Sequence, residues 1–286
     1  DYIHDGLKRL DTATLTNNDG SKDRWTYGYD WNGNRKSELV ESQASGGSWS
    51  TDSSKSYTHN NLGQLLETTG TDASTYTWDK LGRLTGKTTA NGSRGYEWSV
   101  DDRLLKAEVA VDGQPTRTVA YSYDHLGTRT GRTLEGEDDD SARRYLSGDK
   151  NPTGFSQVLA DVSPDGTTTH DSYVYGKGFG PLAQSHHPGS ANFDPRFLLR
   201  DHLSTTRALT DSAANANHIS YAPFGTVRSG AGSSTNHYFT AQWRDSLSGL
   251  QWHRNRWLDT GTGAWLSQDK FFDWPRNFGN AYSYSG

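Results

Sequence analysis

The sequence predicts an all-β protein built from stacked antiparallel hairpins. Three observations carry this reading. Aromatic residues are abundant, with Trp 10, Tyr 15 and Phe 9, although hydrophobic residues make up only 31% and mean hydropathy is -0.90. Chains that stay disordered are poor in aromatics. The 31 Gly, with many Thr, Ser, Asn and Asp, favour turns and half-buried strands over a helical bundle. Finally, a tyrosine-centred pattern returns along the first half of the chain, the mark of a repeat array.

The pattern is Tyr, any residue, an aromatic or His, Asp or Asn, two residues, then Gly followed by Arg-Leu or a relative of it. Its clearest copy is Tyr76-Thr77-Trp78-Asp79-Lys80-Leu81-Gly82-Arg83-Leu84. Further copies start at Tyr2, Tyr27, Tyr57, Tyr96 and Tyr121. Residues at i and i+2 of a strand share a face, so the pairs Tyr27 and Tyr29, Tyr76 and Trp78, Tyr96 and Trp98, and Tyr121 and Tyr123, with Tyr57, are expected to form ladders that hold the wall. Asp30, Asp79 and Asp124 open turns through their side-chain oxygens, and Gly33, Gly63, Gly82 and Gly127 take the positive φ that closes them. The polar run after each Gly is the returning strand, so each repeat is a hairpin with a three-to-four-residue loop. A lone hairpin is marginal in water. Stacking buries the rings, at roughly 1.5–3 kcal/mol each.

Composition bounds function. The 286 residues, with Lys+Arg 29 against Asp+Glu 34, carry a formal charge of -5, which argues against a nucleic-acid partner. Cys 0 removes disulfides, thiolate metal sites and cysteine nucleophiles. Met 0, an opening at Asp1-Tyr2, and no apolar run long enough for a membrane span lead us to expect an excised or processed piece of a longer protein.

These residues resemble the Rhs/YD-repeat family, named for the Tyr-Asp unit. The resemblance continues through Tyr173-Val174-Tyr175-Gly176, Phe197 to Asp211, and Tyr221-Ala222-Pro223-Phe224-Gly225. It is most specific from Phe239-Thr240 through Asn255-Arg256-Trp257-Leu258-Asp259 and Gly263-Ala264-Trp265-Leu266-Ser267-Gln268-Asp269 to Tyr282-Ser283-Tyr284. It covers nearly the whole chain, with Ser45 to Ser56, Glu135 to Arg144 and His186 to Phe193 as poorly matching insertions. It implies a spiral, shell-like sheet closed by an Rhs core region, in secreted or cell-surface bacterial proteins, many of which enclose a C-terminal toxin. The expected division is a repeat wall over 1-145, connecting repeats and loops over 146-196, and the core region over 197-286.

In the toxin branch the core cuts off its own cargo with two aspartates, the first in a motif like Ser-x-Asp-Pro-x-Gly. Asp269 matches that first aspartate, but Lys270 stands for Pro, Phe272 for Gly and Ala264 for a usual Arg, and no second motif occurs before Gly286. A shared-proton pair needs two carboxylates. Asp269 therefore has two readings: half of an incomplete self-cleavage site, or, with Asp259, a turn and strand-end residue of the core. The second is preferred.

Other candidates favour structure over chemistry. Gly176-Lys177-Gly178-Phe179-Gly180 precedes Pro181 rather than a helix start, so it reads as a turn. Asp30-Trp31-Asn32-Gly33-Asn34 is a poor calcium loop and already a repeat turn. His186 and His187 lack ligand-spaced partners, and His202 beside Asp201 lacks a nucleophile motif. The acidic run Glu135 to Asp140 reads as a solvated loop, and Asn91-Gly92-Ser93 as a hairpin turn before a glycan site. Trp243, Trp252 and Trp257 are expected in the core; Trp49 looks exposed. No cofactor or metal is expected. The expected role is a wall or plug segment of a secreted Rhs-type shell that encloses or presents a toxin. The alternative is a filament or adhesin subunit without catalysis. Expected partners are further YD repeats, copies of the chain joined through strand edges, or an enclosed C-terminal toxin.

Overall fold

The computed structural model describes residues 1–137, 141–186, 194–230, 232, 235–270 and 280–284. Strands account for most of them. In order they are β1 (Tyr2–His4), β2 (Leu10–Thr16), β3 (Lys22–Tyr29), β4 (Arg35–Gln43), β5 (Trp49–His59), β6 (Leu65–Gly70), β7 (Ser74–Trp78), β8 (Leu84–Thr89) and β9 (Gly92–Trp98). There follow β10 (Leu104–Val111), β11 (Arg117–Tyr123), β12 (Arg129–Leu134), β13 (Arg143–Gly148), β14 (Gln157–Val162), β15 (Thr169–Tyr175), β16 (Pro181–His186), β17 (Asp194–Arg200), β18 (Thr206–Thr210) and β19 (Ala216–His218). Each pairs antiparallel with its neighbour in sequence, giving a nineteen-stranded meander. The expected all-β class and the stacking of hairpins in chain order are what the structure has.

Shorter strands follow among the described residues: β20 (Ser220–Tyr221), β21 (Val227–Ser229), β22 (Trp243–Arg244), β23 (Gln251–His253), β24 (Arg256–Asp259) and β25 (Ala264–Trp265), with a 3-10 turn at Phe239–Ala241.

Two compact units emerge, one of residues 1–95, 110–114 and 263–286, the other of 96–109 and 115–262. Gly263 onward groups with the first repeats.

The alternation of strand residues explains which face each unit buries. In the first unit, β3 buries Asp23, Trp25 and Tyr27 and lifts the residues between them toward solvent, and Tyr57, Leu65, Tyr76 and Leu84 continue that face. In the second, Leu104, Val119, Tyr121, Tyr145 and Tyr173 line the sheet, and Trp243, Trp252, Trp257 and Leu258 cover them. The three core tryptophans expected from the sequence are thus buried, while Trp49 lies half-buried under the Arg24 guanidinium, 4.1 Å from its ring centroid.

Candidate functional site

The repeat turn has a single geometry. At the clearest copy, Asp79 Oδ1 accepts the backbone N–H of Leu81 and of Arg83, both at 2.9 Å, and Oδ2 accepts Arg83 Nε at 2.6 Å. These contacts hold the Asp79 carboxyl below the usual carboxylate range, against the opposing effect of burial. Asp30 takes the N–H groups of Asn32 and Asn34, Asn60 those of Leu62 and Gln64, and Asp124 those of Leu126 and Thr128. Two backbone bonds close each loop, as Asp79 N–H to Arg83 O and Gly82 N–H to Asp79 O. The pairing slips by one residue beside the turn, between Thr77 and Trp78 and between Ser122 and Tyr123, the bulge that goes with a three-residue hairpin loop.

The same loop recurs where the sequence hides it. Asp201 Oδ1 accepts Leu203 and Thr205 N–H, and Asp211 Oδ1 accepts Ala213 and Asn215 N–H. Asp201 beside His202 is therefore a turn residue. These loops escape the pattern because the left-handed position, φ +77° at Gly82, is filled by Ser204 at +66° and Ala214 at +64°. Lys8 and Asp102 hold the same place in the repeats that start at Tyr2 and Tyr96. The left-handed backbone, not glycine, is what these loops share.

The aromatics of each pair do different work. The first, Tyr27, Tyr57, Tyr76, Tyr96 or Tyr121, is buried. The second is half-buried, and at Tyr29, Trp78 and Tyr123 its polar tip reaches back to the returning strand of the hairpin before it. Tyr29 Oη donates to Leu10 O at 2.9 Å, Trp78 Nε1 to Leu65 O at 2.7 Å and Tyr123 Oη to Leu104 O at 2.9 Å. Tyr175 does the same to Val158 O at 2.9 Å and Tyr221 to Thr206 O at 2.8 Å. Trp98 occupies the same half-buried place at the end of β9.

The C-terminal segment of the first unit lies against repeat turns. Tyr282 Oη donates to Gly82 O at 3.0 Å and accepts Gln64 Nε2 at 3.2 Å, and its ring meets Trp78 edge-on at 4.9 Å. A Cβ on Gly82 would come within 2.5 Å of that hydroxyl, and one on Gly63 within 2.7 Å of Asn280 Oδ1. These two glycines serve the close approach as well as the positive φ.

Asp269 sits in this segment. It is half-buried, and its N–H donates to Ala281 O at 3.3 Å. Trp265, Leu266 and Ser267 before it are buried, with Leu266 O accepting Leu84 N–H at 2.8 Å. Phe272 and Gly286 lie outside the described residues, as do His187 and Asp138 to Asp140. Asp259 Oδ1 accepts Gly261 N–H at 2.9 Å, a turn contact. His186 pairs with Asp171 at 3.0 Å on exposed sheet, and Gly176 to Gly180 leads straight into β16, as a turn would. Among the described residues, no three His, Asp or Glu come together as a metal site.

An open cleft of about 520 Å³ lies between the first two turns, lined by Asp5, Leu7, Arg9, Tyr29, Trp31 and Lys36 among others. Its Arg9 is committed to Asp5 and to the Asp30 carbonyl, while the Trp31 ring is 96% exposed.

Residues 59–94, which contain the Asp79 turn and the Trp78 tie, match the RHS Repeat family model. The chain carries an RHS repeat. No curated protein matches the sequence. Similar solved structures include TcdB2-TccC3 without its hypervariable C-terminal region, at 12% identity over 99% of this chain and 21% of that one, with a TM-score of 0.34. The Tc holotoxin pore of Photorhabdus luminescens follows at 11% identity over 99% and 20%, TM-score 0.33. A porin-like protein of Bacteroides uniformis gives 14% identity over 74% and 90%, TM-score 0.37. The RHS-repeat chain spans about a fifth of the length of the first two.

A feature with no sequence signal is the setting of Arg129, two residues after the turn glycine Gly127. The equivalent Arg35 lies between the rings of Tyr27 and Tyr57 and pairs with Glu38 at 3.2 Å. Arg129 is fully buried, 3.7 Å from the centroid of Trp243 and 4.5 Å from those of Tyr145 and Trp252, with no ion pair among the described residues. The two tryptophan rings come from residues more than a hundred positions away, so only the fold brings them there.

Proposed function

We propose that the chain is architecture: a wall segment of an Rhs-type shell, secreted or on the cell surface, that encloses or presents a C-terminal cargo. The observation that supports it best is the tie from the second aromatic of one hairpin to the carbonyl at the start of the returning strand before it, repeated at Tyr29, Trp78, Tyr123, Tyr175 and Tyr221. This is a rule for stacking hairpins, and it commits these polar tips to the backbone of the wall. Further repeats are the natural partners, because a repeat buries its faces against neighbours. Asp269 belongs to the segment that seats on the turns, and we assign it a structural place there.

Electron microscopy of the full-length protein that contains this chain tests the reading. A hollow particle that shields another part of the polypeptide from protease supports it. Filaments would replace it with the alternative of an extracellular polymer. A Asp269→Asn change that stops release of a C-terminal fragment would overturn the assignment of Asp269.

A further inference from the structure

The second unit leaves an unusual set of polar groups without partners. None of the three guanidinium nitrogens of Arg129 donates a hydrogen bond among the described residues, and the same holds for Tyr145 Oη, Trp243 Nε1 and Trp252 Nε1. All belong to residues around one charge, with the three ring centroids 3.7 to 4.5 Å from the guanidinium carbon. Neighbouring groups are already spent. Arg132 Nε donates to Asp245 at 2.7 Å, whose other oxygen takes Leu247 and Ser248 N–H. Trp257 Nε1 donates to Tyr123 Oη at 3.3 Å, and Tyr173 Oη to Asp161 Oδ2 at 3.2 Å. Among the described residues, spare acceptors whose charge bears on Arg129 include Asp161 Oδ1 and His237 Nε2, the latter because His237 Nδ1 lies 3.1 Å from Ala241 O.

The aromatic faces cover the guanidinium and offset part of its desolvation, but they do nothing for its N–H edges. A buried charge without hydrogen bonds costs several kcal/mol. Arginine does not escape by losing its proton. Water is a poor match, because each molecule brings two hydrogens of its own that need acceptors, and donors here outnumber acceptors. An acceptor-only ligand fits that imbalance and supplies the missing charge. Asp161 supplies only part of it near neutrality: burial first, then the Asp171 carboxylate, push its carboxyl up to about 7.

We propose that Arg129, Tyr145, Trp243 and Trp252 form an internal site for a small inorganic monoanion of the halide class. The ion accepts from the guanidinium and the two indole N–H groups and locks β22 and β23 against the start of β12.

Bromide is the probe. The chain is melted while bromide replaces gluconate at constant ionic strength, so screening stays fixed. The melting temperature is expected to climb with the logarithm of bromide concentration, as for one site present only in the folded state. A bromide-soaked crystal is expected to show one anomalous peak within hydrogen-bond reach of Arg129. Trp243→Phe keeps an aromatic face over the guanidinium and removes one donor, so bromide affinity should fall about tenfold. Arg129→Met should abolish the bromide effect. Identical melting in the two salts, an Arg129 site filled by water alone, or a bromide effect unchanged in Trp243→Phe would each overturn the proposal.

Discussion

The hydroxyl of Tyr123 donates to the backbone carbonyl of Leu104 at 2.9 Å, joining the end of β11 to the start of β10. That hydroxyl also accepts Trp257 Nε1 at 3.3 Å, so one phenolic oxygen serves the wall and the core strand over it. Tyr123→Phe keeps the ring and strands both partners. It should destabilise the chain by about 1–3 kcal/mol, the cost of leaving buried polar groups unmatched, read by denaturant unfolding.

Tyr76 and Trp31 test which aromatics hold the wall. Tyr76 is 7% exposed and Trp31 96%. Tyr76→Ala should cost about 3–5 kcal/mol. Trp31→Ala should leave the melting temperature within about 1 °C, since a fully solvated ring has little burial to lose. Equal losses would mean that the repeat aromatics are not sorted by face.

The turn aspartates close their loops as acceptors, with the ion pair to Arg83 added at Asp79. Asp79→Asn keeps Oδ1 as acceptor for the N–H groups of Leu81 and Arg83, and should cost less than about 1 kcal/mol. Asp79→Ala removes the acceptor and should cost about 1–3 kcal/mol. A larger loss in the Asn variant would shift the weight to the Arg83 ion pair.

Gly82 and Gly113 separate backbone strain from docking. Both have positive φ, +77° and +75°, but only Gly82 faces Tyr282; a Cβ on Gly113 meets nothing within 4 Å. Gly113→Ala should cost about 1–2 kcal/mol from the left-handed backbone alone. Gly82→Ala should cost clearly more and expose the C-terminal segment to protease. Equal costs would show that Tyr282 yields freely.

Asp161 and His237 bend the pH dependence in opposite directions. Asp161, raised from 3.8 to about 7, favours a neutral folded form, so its contribution is full in acid and lost as pH rises through about 7. Tyr173, Asp171, Arg129 and Arg143 are the groups that act on it. Asp161→Asn should therefore gain stability over the parent progressively between pH 4 and 7, then level off. His237 is depressed to about 4, chiefly by burial, so its unfolded form takes up a proton below about 6.5 and stability falls with falling pH. His237→Gln should reduce the protons bound on unfolding at pH 5 by about one.

How much of this was legible in the sequence depends on the range of the contact. The loops at Asp30, Asn60, Asp79 and Asp124 are local: the acceptor, the N–H groups it holds and the left-handed residue lie within five positions, so the pattern states the structure. The loops at Asp201 and Asp211 obey the same physics with Ser204 and Ala214 in the strained place, and a search for glycine passes over them. The tie from Trp78 to the Leu65 carbonyl leaves no trace because its acceptor is backbone, which every residue carries. Arg129 is the extreme case. Its place after Gly127 makes it look like Arg35, and only the rings of Trp243 and Trp252 set it apart.

The five repeat ties at Tyr29, Trp78, Tyr123, Tyr175 and Tyr221 point the same way along the chain, from a later residue to an earlier carbonyl. During synthesis the N-terminal part emerges first. Each new hairpin then meets a finished template whose acceptor is already exposed and in register, while an unfinished hairpin has nothing ahead of it on which to mispair. The wall can grow as zippers close, tooth by tooth from one end, and its length is set by how many units are spelled out rather than by any closure the last unit must reach.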